Sequence, residues 1–263
     1  NTPFNRGLKP EALARVVHAL LMTESLHLVK VFDLACWDGH CFIVREHLPL
    51  SLETVLKEGG LMPVPLATYL AYQILEGLGD LHLHMGRDER IRNMFHLDLR
   101  PSRILLHRNR LLLKVNNGGL WKELQICNPQ DTAVQKLPLH FLSYRAPEQF
   151  RAYLSRRKPP VFTDIYLFGA IFYEMLTGVP AFRASSFEEY EIAHCEQYPT
   201  PPKVWRPEIS EELSNTVMRC LVTDPMRRWR STTQIALILE KTFDPVVHPA
   251  RDGAFLEYFQ KIS

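Results

Sequence analysis

Within eight residues, His96 to Arg103 (H-L-D-L-R-P-S-R), the chain gathers an imidazole, a carboxylate and two guanidinium groups, side chains that hold protons and charge. Four further runs follow: K-V-N-N-G-G-L (Lys114 to Leu120), Y-R-A-P-E (Tyr144 to Glu148), D-I-Y-L-F-G (Asp164 to Gly169) and C-L-V-T-D-P-M-R-R (Cys220 to Arg228). What such a set can do with a metal is limited. Asn117 offers one neutral oxygen but not the charge a carboxylate supplies to magnesium. Arg103, five residues beyond Asp98, repels any second cation and so opposes metal binding. In the other reading it turns to solvent or pairs with a neighbouring carboxylate. Gly118-Gly119 reads first as a turn with positive φ.

The rest of the composition narrows the function classes. At 263 residues, 46% hydrophobic and 23% charged, the chain can bury one large core. A net charge of +2 gives no footing for nucleic acid or an anionic membrane surface. Five cysteines without a C-x-x-C pair suggest neither a disulfide framework nor a zinc cage. His82 and His84, at i and i+2, point to different sides of a helix, so no metal site is assigned. The most apolar run, Tyr166 to Leu176, contains Glu174 and is shorter than a membrane-spanning helix needs. The start of the chain does not resemble a signal peptide.

The elements that must position these residues follow from periodicity. Pro10 to Met22 has a helical apolar face, and β-rich runs at Leu28 to Ala35 and Cys41 to His47 flank the turn-forming Asp38-Gly39. Ser51 can cap a short helix through Lys57, and Leu66, Leu70, Ile74, Leu78 and Leu81 predict one long helix from Pro65 to His84. Two short strands are expected around Arg108-Asn109 and a buried helix at Asp164 to Leu176. Further helices are expected near Ser186 to His194, Ser210 to Leu221 and Thr232 to Lys241. The apolar end, Phe255 to Ile262, either packs back or docks elsewhere.

The series resembles that of protein kinases, whose catalytic loop reads H-R-D-L-x-x-x-N, followed by D-F-G and then A-P-E. His96, Asp98 and Leu99 hold their places, as do Ala146, Pro147 and Glu148, and the resemblance covers most of the chain. It implies an α+β, protein-kinase-like fold: a reduced N-terminal lobe of one helix and a β-hairpin (1–48), a mainly helical large lobe (49–243) and a C-terminal tail (244–263). It also implies that Asp98 stands at the catalytic base and His96 at the loop's structural His. Asp164 falls where an Asp accepts hydrogen bonds from the loop backbone, and Glu148 with Arg228 at a buried ion pair.

Against this pattern Arg103 replaces the magnesium-binding Asn, and Asn117, Gly118 and Gly119 stand at D-F-G. Leu97 replaces an Arg that receives activation-loop phosphate, Phe141 stands near the place of a Thr, and Arg45 falls at the back of the nucleotide pocket or faces solvent. Lys9 is the only lysine before the first helix, and Glu11 lies too early for an ion-pairing Glu. Phosphoryl transfer needs charge neutralisation on the triphosphate. These departures therefore give the expectation of a cytoplasmic pseudokinase: a signalling scaffold rather than an enzyme, with Asp98 vestigial and no cofactor, weak ATP binding being left open. It would bind a protein partner or itself through the reduced lobe. The alternative is an atypical ATP-dependent kinase or nucleotidyl transferase that uses Asp98. The abrupt start adds the expectation that the chain is a fragment of a longer kinase-like protein.

Overall fold

The computed structural model describes residues 14, 17–18, 20–21, 23–37, 40–84, 95–107, 111–116, 138–155, 162–242 and 253–262. Ala14, Val17, His18, Leu20 and Leu21 are helical, with Val17 and Leu20 buried. The β-rich runs pair antiparallel as β1 (Val31–Trp37) and β2 (His40–Arg45). Leu28 is not part of β1. It bridges Val115 in parallel, and Val29 N–H donates to Val115 O at 2.9 Å. Val115 N–H in turn donates to His27 O at 2.8 Å, and the helix that carries Gly77 comes close there, since a Cβ on Gly77 would lie 2.5 Å from His27 O.

A second sheet, in the order β3-β4-β5, joins β3 (Leu50–Ser51), β4 (Ile104–His107) and β5 (Leu112–Val115). Glu46 ties the two sheets, because it accepts from Lys30 N–H at 2.6 Å and from Lys114 Nζ on β5 at 2.7 Å. Ser51 then caps α1 (Leu52–Glu58) by accepting from Thr54 N–H at 3.1 Å. The stripe of leucines and Ile74 forms α2 (Val64–His84), with all five stripe residues fully buried. Its buried Gln73 clips the β4–β5 connection by donating to Leu111 O and accepting from Leu113 N–H, each at 2.9 Å.

The helical remainder is α3 (Pro147–Ser155), the central α4 (Phe162–Thr177), α5 (Phe187–Glu196), α6 (Pro202–Trp205), α7 (Glu211–Cys220), α8 (Thr232–Glu240) and α9 (Gly253–Gln260). Ser186, Ser210 and Ser231 cap α5, α7 and α8 by accepting the third amide of each helix. The C-terminal segment packs back. Tyr258, Phe259 and Ile262 are buried in the main core, and Tyr258 Oη donates to Gly60 O at 3.2 Å. A Cβ on Gly59 would stand 2.5 Å from that hydroxyl.

Beside the main core lies a smaller one built on Leu142, Phe150 and Tyr190, and His194 of α5 is enclosed there by aromatic rings, with Phe182 at 4.5 Å and Phe150 at 5.3 Å. Tyr166 Oη lies 2.7 Å from its Nδ1. Burial pushes the imidazole down to about 3, so it is neutral in the fold. Between that value and the unfolded value of about 6.5 the unfolded chain binds a proton that the folded chain does not, and stability falls as pH falls through this window. Urea midpoints at pH 7 and pH 4.5 test this. The wild-type protein is expected to lose on the order of 2 kcal/mol more than His194→Phe, and equal losses would exclude His194 as the cause.

Candidate active site

The loop that carries Asp98 is held from below by one carboxylate. Asp164, in the first turn of α4 and fully buried, accepts His96 N–H at 2.7 Å on one oxygen and Leu97 N–H at 2.8 Å on the other. His82 Nε2, near the end of α2, lies 2.9 Å from the first of these oxygens. Burial alone would raise the Asp164 carboxyl, but the hydrogen bond and charge from His82, with the backbone hydrogen bond from Leu97, hold it below the usual range. His96 is itself buried, which pushes its imidazole down and keeps it neutral. In that form Nε2–H donates to Asn116 O at 2.8 Å, and Nδ1 accepts Asp98 N–H at 3.3 Å. Leu97 is thereby fixed at φ 59°, a region few leucines adopt, and its carbonyl accepts from Gln149 Nε2 at 2.8 Å.

At the top of this frame Asp98 is largely buried between two arginines. Arg100 Nη1 lies 3.3 Å from one carboxylate oxygen, and Arg103 Nε donates to the other at 3.1 Å. Of the two fates open to Arg103, the carboxylate partner is the one observed. Arg100 is braced on its other sides: its guanidinium sits 3.8 Å over the Phe141 ring, and Nε donates to Ser102 Oγ at 3.1 Å. Partial burial, and then the charge of Arg103, lower the exposed guanidinium of Arg45 at the end of β2. The depression beside Asp98 is lined by Arg100, Phe141, Tyr144 and Gln149. The hydroxyl of Ser143 turns away, 2.9 Å from Tyr190 Oη.

Glu148 and Arg228 are joined by two hydrogen bonds of 2.7 and 2.8 Å. Arg228 also donates to Val222 O, Phe162 O and Thr223 O, so each of its five N–H groups has a partner. Asn117, Gly118 and Gly119 lie outside the described residues. Among the described residues no group of three or more His, Cys, Asp or Glu could hold a metal ion, and no helix is long and apolar enough to cross a membrane. Sequence reasoning missed His82, which it weighed only as half of a chelating pair, and Arg100 and Gln149. Arg100 carried a usable signal in its place two residues beyond Asp98.

The sequence model of the protein kinase domain matches residues 5–239. The chain belongs to the protein kinase family. A probable serine/threonine-protein kinase of Clostridium perfringens is 26% identical over 242 residues, covering 92% of this kinase domain and 32% of the relative. The serine/threonine-protein kinase PrkC of Bacillus subtilis is 25% identical over 83% of the domain and 31% of the relative. The serine/threonine-protein kinase A of Synechocystis is 30% identical over 83% of the domain and 42% of the relative. The chain thus spans about a third of the length of the first two relatives.

These findings overturn the expectation of a pseudokinase scaffold that is not an enzyme, because the proteins this domain resembles over most of its length are named as kinases. That expectation treated each departure as charge-handling lost. The kinase domain instead surrounds Asp98 with guanidinium groups, and family membership implies ATP as ligand.

Two substitutions separate frame from chemistry. Glu148→Ala leaves the buried Arg228 cation without its carboxylate and is expected to cost about 3–5 kcal/mol. Asp98→Ala leaves Arg100 its contacts with Phe141 and Ser102 and leaves a partly exposed Arg103 that water can reach, and is expected to cost about 1 kcal/mol. Denaturant midpoints measure both, and equal costs would contradict the division.

Proposed function

We propose that the chain is a phosphotransferase of the serine/threonine protein kinase type, taking phosphate from ATP and placing it on a hydroxyl of a protein substrate. The observation that carries this reading is the carboxylate of Asp98, held beside the depression lined by Arg100, Phe141, Tyr144 and Gln149 by the His96 and Asp164 frame, in a chain that matches the family over residues 5–239. Asp98 is the base: each of its oxygens keeps acceptor capacity beyond its arginine, so a substrate hydroxyl can donate there. As the hydroxyl oxygen bonds to the terminal phosphorus, its proton passes to Asp98 and ADP leaves. His96, Asp164, Glu148 and Arg228 are positioning and structural residues, and the cytoplasm, where ATP is available, is the compartment this reading assigns.

Magnesium, which the family's chemistry commonly uses, does not fit the described residues at Asp98. The nearest groups to that carboxylate are guanidiniums at 3.1 and 3.3 Å, which are cations and not oxygen ligands.

The test is transfer of labelled phosphate from ATP to casein or to the chain itself. Label on serine or threonine is expected, reduced about a hundredfold or more by Asp98→Asn. Absence of label, or an Asp98→Asn protein as active as the wild type, would refute the assignment.

The small lobe is the other part of the reading. The described portion comprises the helical residues between 14 and 21 and the β1–β2 sheet, which exposes Phe32, Val44 and Trp37, the last at 75%. Two strands alone are marginal in water, which supports a reduced lobe covered by a second copy of the chain or another protein. Light scattering after size exclusion should give a dimer for the wild type and a monomer for Trp37→Ser with Phe32→Ser. A wild-type monomer whose hairpin amides exchange as slowly as those of α4 would exclude the idea.

A further inference from the structure

The misfit between magnesium and the Asp98 surroundings has a positive side. Two arginines of the loop, Arg100 and Arg103, converge there, and Arg45 at the end of β2 lies within reach of the charge of Arg103. Arg100 and Arg103 share the single carboxylate of Asp98, at 3.3 and 3.1 Å. Desolvation and then the charge of Arg103 disfavour the charge on Arg45, and desolvation with the charge of Arg103 likewise opposes that on Arg100, against the pull of Asp98. Like charges held together beside a shared counter-ion are relieved by an added polyanion, and a planar guanidinium binds phosphate oxygens two at a time. Arg100 is fixed by Phe141 and Ser102, whereas among the described residues the side chain of Arg103 is held by Asp98 and is partly exposed.

We infer that Arg103, supported by Arg45 and Arg100, receives the phosphates of the nucleotide directly, in the place where a divalent cation would otherwise stand. The inference rests on the phosphotransfer reading and deepens it. When a phosphate takes Arg103, the carboxylate oxygen that Arg103 held is released, and a substrate hydroxyl can approach it. Nucleotide binding thereby frees the whole of that oxygen, adding to the acceptor capacity it already has. Magnesium complexed to the nucleotide cancels part of the negative charge the arginines read, so it does not tighten binding.

Isothermal titration of the whole chain with ATP and with inorganic triphosphate, each in EDTA and in excess magnesium, tests this. Both probes are expected to bind in EDTA, ATP no more weakly than with magnesium. Arg103→Gln should weaken both by about tenfold or more, and Arg103→Lys, which keeps the charge but not the fork, by a few-fold. The inference is overturned if ATP binds only with magnesium, or if Arg103→Gln and Arg103→Lys bind like the wild type. Asp98-dependent labelling measured separately keeps the two readings apart. Labelling with magnesium-dependent binding ends this inference alone, and metal-free binding without labelling ends the phosphotransfer reading.

Discussion

The buried carboxylate of Asp164 is the constraint from which the rest of the site follows. A charge with no exposure is costly unless its lone pairs are used, and here two consecutive backbone amides and an imidazole use them. Because the amides belong to His96 and Leu97, the backbone between them must turn sharply, which puts Leu97 at φ 59°. That turn brings Asp98 between Arg100 and Arg103 while His96 stays fully buried. The strain is met by Gln149 on the far side of Leu97, so α2, α3 and α4 all hold a loop that none of them contains.

The second buried charge works differently. Arg228 does not aim a reactive group. It spends every donor on three separate chain segments, including the first turn of α3 through Glu148 and the start of α4 through Phe162 O. Thr163 Oγ1 donates to the same Glu148 oxygen at 2.7 Å. Asp164 is the next residue, so the two polar centres share one helix terminus. The loop geometry and the packing of α3 against α4 are therefore fixed at neighbouring points.

Helices with an apolar stripe and a serine before them were legible in the sequence. The long helix predicted from Pro65 begins at Val64 and ends at His84 as expected. Two of the caps also show a reach one residue further back than a simple capping box, with Glu189 accepting Ser185 N–H and Gln234 accepting Arg230 N–H. Leu28 was misplaced because a run of β-formers does not show where its partner lies. The short helices α3 and α6 were missed for lack of periodicity, although Pro147 and Glu148 are good first-turn residues. At the site, residue types were legible but pairings were not: His82 and Asp164 are 82 residues apart. The scaffold reading failed for a related reason. It compared positions one at a time, and a substituted position says nothing of the charge its neighbours supply.

The contact between α9 and the end of α1 ties residues that no local pattern connects. Tyr258 fills the space over Gly59, where a Cβ would come within 2.5 Å of its hydroxyl. Neither residue is free to drift alone: a side chain at position 59 requires a smaller ring at 258, and a smaller ring leaves a gap over the glycine. In a set of related sequences the two columns should vary together, glycine with tyrosine and larger residues with small ones. That covariation would record the docking of the terminal helix in chains whose structures are unknown.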